Sequence, residues 1–99
     1  MQTYVVYILT NKMYGVLYVG ITGDLKRRIT EHKLGFVKGF SKKYNLKKLV
    51  YVEQFDFPDQ AIKRENQLKW WCRKWKIDLI EKQNSDWNDL SSIFLMPTT

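Results

Sequence analysis

Ninety-nine residues, 44% of them hydrophobic and 15% aromatic, suffice for one small domain with a modest core and are too few for two. That apolar content excludes a disordered chain. The net charge is +7, and residues 24–50 carry all of it: Lys26, Arg27, Arg28, Lys33, Lys38, Lys42, Lys43, Lys47 and Lys48 stand against only Asp24 and Glu31. Clustered cations displace counterions from phosphates, so they mark a polyanion partner. An anionic membrane surface or plain solubility would also use such charge, but no strongly amphipathic membrane helix is present, and nucleic acid is the leading partner. Cys72 is the only cysteine and His32 the only histidine. An intrachain disulfide and a Cys/His zinc site are thereby excluded, and a reducing compartment, the cytoplasm, is expected. The run Val5 to Leu9 is too short for a signal-peptide core, and no apolar stretch approaches the roughly 20 residues of a membrane span.

Along the chain, Tyr4 to Leu9 is β-branched and aromatic and predicts a strand. Thr10 to Gly15 reads as a turn and Val16 to Ile21 as a second strand, together an antiparallel hairpin. A pairing symmetric about residues 12 and 13 sets Tyr7 opposite Tyr18 on one face. Thr22-Gly23-Asp24 supplies turn and cap chemistry for a helix over about Leu25 to Leu34, ended by Gly35. Leu25 and Ile29 are its apolar stripe, and Arg28 and His32, four apart, share the edge of that stripe. Residues 36–47 are basic and glycine-spaced, a loop with one helical turn. Leu49 to Phe55 alternates as a third strand. Pro58 and Asp59 open a long helix to about Lys74, with Ala61, Ile62, Glu65, Leu68 and Cys72 on its buried side. A short helix over Ile77 to Lys82 and a polar segment around Trp87 follow. The expectation is an α+β fold in the order β-β-α-β-α-α: a small three-stranded antiparallel sheet flanked by helices. The domain is expected over residues 1–90, with 91–99 a C-terminal tail and Pro97-Thr98-Thr99 loose.

Glu65 is the misfit on an apolar helical stripe. A carboxylate there is costly to desolvate unless it is paired with a cation or holds a metal. One carboxylate completed by phosphate oxygens and water suits Mg²⁺. An ion pair with a nearby Lys or Arg is the alternative. Arg28 offers a fixed fork for phosphate and can stabilise charge in phosphoryl transfer. His32 can move a proton near neutral pH. Both would equally suit a solvated basic helix. Tyr7 and Tyr18 are poor bases at neutral pH unless cations stabilise the phenolate, and taken alone they read first as a packed cross-strand pair. Trp70, Trp71, Trp75 and Trp87 crowd the last third, as packing residues or as platforms for unpaired bases.

Together these residues resemble the GIY-YIG nuclease superfamily, closest to its small stand-alone bacterial members, over roughly residues 3–90. Val5-Val6-Tyr7 is similar to the first motif, with valines for glycine and isoleucine, and Tyr18-Val19-Gly20 to the second. Arg28 and His32 match the arginine and the His or Tyr that follow. Arg64 to Lys69 resembles the segment holding the metal-binding glutamate, here Glu65. Asn84 to Leu90 resembles a closing segment, with Ser85 for its usual proline and Asn84 a further site candidate.

The resemblance implies a metal-dependent endonuclease that hydrolyses phosphodiester bonds in DNA. Glu65 would hold Mg²⁺ or Mn²⁺, and Tyr7, or else Tyr18, would help deprotonate water. Arg28 would stabilise transition-state charge and His32 would position or relay a proton. Lys26, Arg27, Lys33, Lys38, Lys42 and Lys43 would grip the backbone without reading sequence. A catalytically idle nucleic-acid-binding module on the same fold is the alternative, and a protein-interaction domain anchored by tryptophans a third reading. A domain this small has no room for an appended specificity module. Branched, nicked or single-stranded DNA, and RNA, stay open as substrates, as does a protein partner that targets the domain.

Overall fold

The computed structural model describes residues 3–35 and 39–95; Lys38 and residues 96–99 lie outside the described residues. Among the described residues eight elements follow in order: β1 (Tyr4–Thr10), β2 (Leu17–Thr22), α1 (Leu25–Lys33), α2 (Phe40–Lys43), β3 (Lys48–Phe55), α3 (Pro58–Trp70), α4 (Arg73–Gln83) and α5 (Ser91–Leu95). The strands form one antiparallel sheet in the order β2-β1-β3, so the first strand is central. The expected α+β architecture is what folds.

The central strand explains its own composition. It is buried on both faces, which favours a near-continuous apolar run over strict alternation. Val6 and Ile8 pack toward Ala61 and Leu68 of α3, with Ile80 and Trp87. Val5, Tyr7 and Leu9 pack on the other face with Leu25 and Ile29 of α1, Leu46 and Leu49. One strand thus carries two small cores, and Tyr7 belongs to the α1 side.

The hairpin register differs from the expected one by two residues. Tyr7 pairs with Gly20, and Tyr18 pairs with Leu9. The cause is the loop. Asn11 Oδ1 accepts from Val16 N at 2.9 Å and Gly15 N donates to Lys12 O at 2.9 Å, which centres a six-residue turn one position later. Tyr14 sits there at φ 58°, held by a hydrogen bond from its hydroxyl to Glu81 (2.9 Å) and by ring contact with buried Trp87. Arg73 at the start of α4 donates to both Tyr14 O and Gly15 O. A shift of two preserves facing, so both tyrosines still share one face.

Helix α1 begins as read: Asp24 caps it by accepting from Arg27 N at 3.1 Å. Gly35, at φ 74°, donates to His32 O and ends it in the left-handed conformation. The long helix ends earlier than expected, at Trp70, because Trp71 and Cys72 are extended. Without that break, residues 58–83 would span about 39 Å of helix, more than the 36 Å longest extent of the molecule. The break folds α4 back so that Ile77, Leu79 and Ile80 reach the sheet. The buried side of α3 is correspondingly narrow. Ala61 and Leu68 are fully buried, whereas Ile62 is half exposed and Cys72 caps α4 in solvent. Residues Ser91–Leu95 form α5, which packs on α1 with Ser91 buried.

Candidate active site

Tyr7, Tyr18 and His32 meet on the α1 side of the sheet. The ring centroids are 6.4 Å apart for the two tyrosines, 6.0 Å for Tyr7–His32 and 5.9 Å for Tyr18–His32. Tyr7 is 2% exposed and His32 3%. The Tyr7 hydroxyl lies 3.3 Å from His32 Nε2. Its ring lies across the backbone of Gly20: a Cβ there would collide with the phenol. The glycine of the second strand is therefore required by the tyrosine of the first, a reason invisible without the register.

Burial pushes the Tyr7 hydroxyl well above the ordinary phenol range, and the neighbouring Tyr18 adds to this; Arg28 opposes it, and Glu65 and Glu31 reinforce it. Burial, then the Arg28 charge, pulls His32 below its ordinary value of 6.5, against Glu31. Both groups are therefore neutral near pH 7. The arrangement that suits a neutral pair is the Tyr7 O–H donating to an unprotonated Nε2.

Arg28 acts on both members of that pair, so it belongs to the same site. Its side chain is 42% exposed and its Nε lies 3.9 Å from Glu31 Oε1. Arg27 reaches the other oxygen of Glu31 at 4.0 Å. Thr22, Gly23, Asp24, Arg27, Arg28 and Glu31 line a polar cavity of about 320 Å³. Glu31 is the member that sequence reasoning missed. Its signal was the i,i+3 and i,i+4 spacing to two arginines.

Glu65 enters from α3 with 14% of its side chain exposed, ion-paired to Lys69 at 3.2 Å. The roll of α3 is fixed from below: Glu53 Oε2 accepts from Tyr51 Oη at 2.5 Å and from Arg64 Nε at 3.1 Å, and the Arg64 guanidinium covers the Trp71 ring. No group of three or more His, Cys, Asp or Glu gathers among the described residues. The donor set is thus one half-buried carboxylate whose charge reaches the Tyr7 phenol. That fits a hard cation whose other positions are filled by water and phosphate. The competing cation, Lys69, is 52% exposed, so solvent screens its pull on Glu65.

The family model for the GIY-YIG catalytic domain matches residues 3–78, which includes every one of these side chains. The chain belongs to the GIY-YIG family. A UPF0213 protein of Staphylococcus saprophyticus is 35% identical over 82 residues, covering 83% of this chain and 99% of that protein. A UPF0213 protein of Staphylococcus aureus is 32% identical over 69 residues, covering 70% of this chain and 84% of the relative. The solution NMR structure of a UPF0213 protein from Bacillus halodurans superposes with a TM-score of 0.58 at 26% identity, covering 95% of this chain and 99% of that one. GIY-YIG domains are nuclease domains that act on nucleic acid and are generally metal-dependent.

The remaining candidates divide by their contacts on this GIY-YIG domain. Lys26, Arg27, Lys42 and Lys43 are exposed along α1 and α2. Lys33 is committed elsewhere: its ammonium donates to Lys47 O at 3.0 Å and to Asp89 Oδ2 at 2.9 Å. Asn84 is buried away from this cluster. Its amide donates to Val50 O and Asn88 O, and its Oδ1 accepts from Asn88 N, so it pins the loop after α4 to β3. No helix among the described residues is long and apolar enough to cross a membrane.

Proposed function

We propose that this domain is a metal-dependent endonuclease that hydrolyses phosphodiester bonds in DNA, working in the cytoplasm on strands exposed during repair or recombination. The observation that carries the reading is one buried phenol, Tyr7, hydrogen-bonded to His32 and felt by both Arg28 and Glu65. Glu65 is the residue that would hold Mg²⁺ or Mn²⁺. When bound, that ion supplies Lewis-acid polarisation of the scissile phosphate.

The protein's own groups account for the proton. A phenol this firmly protonated is a poor base alone. It becomes a relay if it takes a proton from the attacking water while passing its own to His32 Nε2. The water oxygen forms the new P–O bond, the bond to the leaving oxygen breaks, and that oxygen takes up a proton from solvent. Arg28 faces the charge that develops on phosphorus oxygens. Tyr18 packs beside both Tyr7 and His32 and limits the directions in which either ring can turn. Lys26, Arg27, Lys42 and Lys43 supply non-specific hold on the backbone.

The idle-module reading draws on one observation, the Glu65–Lys69 ion pair, which gives the carboxylate a partner without a metal. One assay separates the two. End-labelled single-stranded, duplex and branched DNA are incubated with Mg²⁺, Mn²⁺ or EDTA, with wild type beside Glu65→Gln and Arg28→Ala. Cleavage that needs the ion, Glu65 and Arg28 is expected. Cleavage retained in both variants would remove the site assignment, and salt-sensitive binding with no cleavage would leave the module.

A further inference from the structure

Helix α3 carries Glu65 toward the site and a tryptophan away from it. Trp70 is 89% exposed, an unusual position for so large an apolar ring. It forms one wall of an open cavity of about 640 Å³, shared with Phe55, Gln60, Lys63, Asn66 and Gln67. That volume is in the range of small-molecule sites. Arg64 also lines it, and no carboxylate does. Arg64 Nη1 donates to Gln67 Oε1 at 2.6 Å, which fixes that amide.

We propose that the outer face of α3 is a stacking subsite for one unpaired nucleobase of the substrate strand. The proposal rests on the nuclease reading and adds a binding site to it. Three features select this occupant. The indole offers a broad π-face, on which any base stacks without sequence preference. Gln60, Asn66 and Gln67 bring amide donors and acceptors, the groups that meet base edges. Lys63 brings an exposed cation to the lining, which suits a phosphate-linked ligand, while Arg64 is already paired with Glu53 and holds the Gln67 amide in place.

Placement on the helix agrees. Trp70 follows Glu65 by five residues, about 7.5 Å along the axis and about 140° around it, or roughly 14 Å over the helix surface. That is about four steps of a strand at about 3.4 Å per step, and fewer if the strand is extended. Lys69, 52% exposed, follows Glu65 by four residues and supplies a cation on the path between them. A strand whose phosphate sits at Glu65 can therefore deliver a nearby base to Trp70 only if that base is unpaired.

The test is fluorescence anisotropy with the full chain in EDTA, so that binding is read without cleavage. The probes are labelled oligothymidine, oligouridine and a blunt DNA duplex, each a 20-mer. Trp70→Ala is expected to lose at least about fivefold in single-strand affinity, Trp70→Phe to keep most of it, and Trp75→Ala to match wild type. Duplex binding should change less than about twofold, because a paired base does not reach the ring. Loss with both oligonucleotides supports a base subsite indifferent to sugar; loss with one supports it and names the strand. The ring is exposed, so the variant keeps its fold, checked by far-UV circular dichroism. Wild-type affinity in Trp70→Ala, or equal loss on single strand and duplex, would overturn the proposal and leave the face to a protein partner. A Trp70 effect in a protein that never cleaves would leave the subsite standing and sink the nuclease reading.

Discussion

A methyl group at Gly20 has to share space with the Tyr7 ring. Built on the observed backbone, it lies 2.5 Å from Oη, 2.9 Å from Cε2 and closer still to Cζ. Such a contact is relieved cheaply only when the neighbour can swing away. Tyr7 is 2% exposed, with Tyr18 and His32 against its ring, so its escape routes are closed. Gly20→Ala should therefore act as an overpacking substitution, costing about 1–3 kcal/mol of stability. The greater effect should be on the reaction. Displacing the phenol breaks its contact with His32 Nε2, and loss of a positioned proton-transfer group costs about 10²–10⁴ in rate. The assay is single-turnover cleavage beside urea denaturation, for wild type, Gly20→Ala, Tyr7→Phe and the double variant. Because Tyr7→Phe has already lost the hydroxyl, Gly20→Ala should add little further rate loss in that background. A Gly20→Ala protein with wild-type stability and rate, or full additivity of the two rate losses, would refute this account of the glycine.

Other outcomes follow from the same geometry. Lys69→Ala removes the cation paired with Glu65, so Mn²⁺ should bind more tightly in the absence of nucleic acid, read by the loss of free-ion electron paramagnetic resonance signal; unchanged affinity would place the ion elsewhere. For His32, the folded state holds the proton less tightly than the unfolded chain does. Its contribution to stability is therefore complete above the ordinary value of 6.5 and is lost as pH falls below it. Wild type should lose urea resistance between pH 7.5 and 5.5 more steeply than His32→Gln; parallel losses would contradict the shift. Burial works against the Asp89 carboxylate, but hydrogen bonds from Ser91, Lys33 and Leu49 outweigh it and hold it down to about 2. The stability it adds should be whole above about pH 4 and fade as pH approaches about 2. Asp89→Asn should cost about 1 kcal/mol at pH 7 after allowance for its partial exposure, and a neutral result by chemical denaturation would remove the staple between α1, β3 and α5.

What the chain made readable was local. Alternation and β-branching placed all three strands, Asp24 and Gly35 bounded α1 to within a residue, and Pro58 opened α3, because each of these is decided by nearby backbone chemistry. The register was not readable, since it depends on an Asn11 side chain closing the loop onto Val16. The break at Trp71–Cys72 was not readable either. Neither residue is a helix breaker, and the bonds that hold the chain after the turn, from Arg73 to Tyr14 O and Gly15 O, come from 59 and 58 positions away. The same division holds in the site. Arg28 and His32 could be placed together from their spacing, and Glu65 was flagged as a carboxylate out of place. That Lys33 is spent on Asp89, and that Asn84 pins β3 to the loop after α4, depends on residues 34–56 positions apart and leaves no local trace.

The protonation of the central pair bears on when such a site can act. A phenolate–imidazolium pair buried between α1 and the sheet would need two charges desolvated at once, a cost of several kcal/mol per ion even after relaxation. The neutral Tyr7–His32 pair avoids that cost and keeps the proton on the Tyr7 oxygen. The resting pair therefore carries no charge near neutral pH. On the proposed nuclease reading, activity would require a change that favours negative charge near Tyr7, where Glu65 and Glu31 act against it and Arg28 for it. A divalent cation at Glu65 would reverse the sign of the first. A phosphate drawing Arg28 away from Glu31 would leave that arginine shared between substrate and phenol. On the proposed reading both changes would arrive only with the complete complex, which would couple proton transfer to the presence of ion and strand together. The sharpest check is the difference in pH-dependent ultraviolet absorbance between Tyr18→Phe protein and the Tyr7→Phe/Tyr18→Phe double variant, which separates Tyr7 from the other four tyrosines. The phenol should titrate above its ordinary value alone and lower with Mn²⁺ and a non-cleavable phosphorothioate strand, and an unchanged titration would uncouple the two.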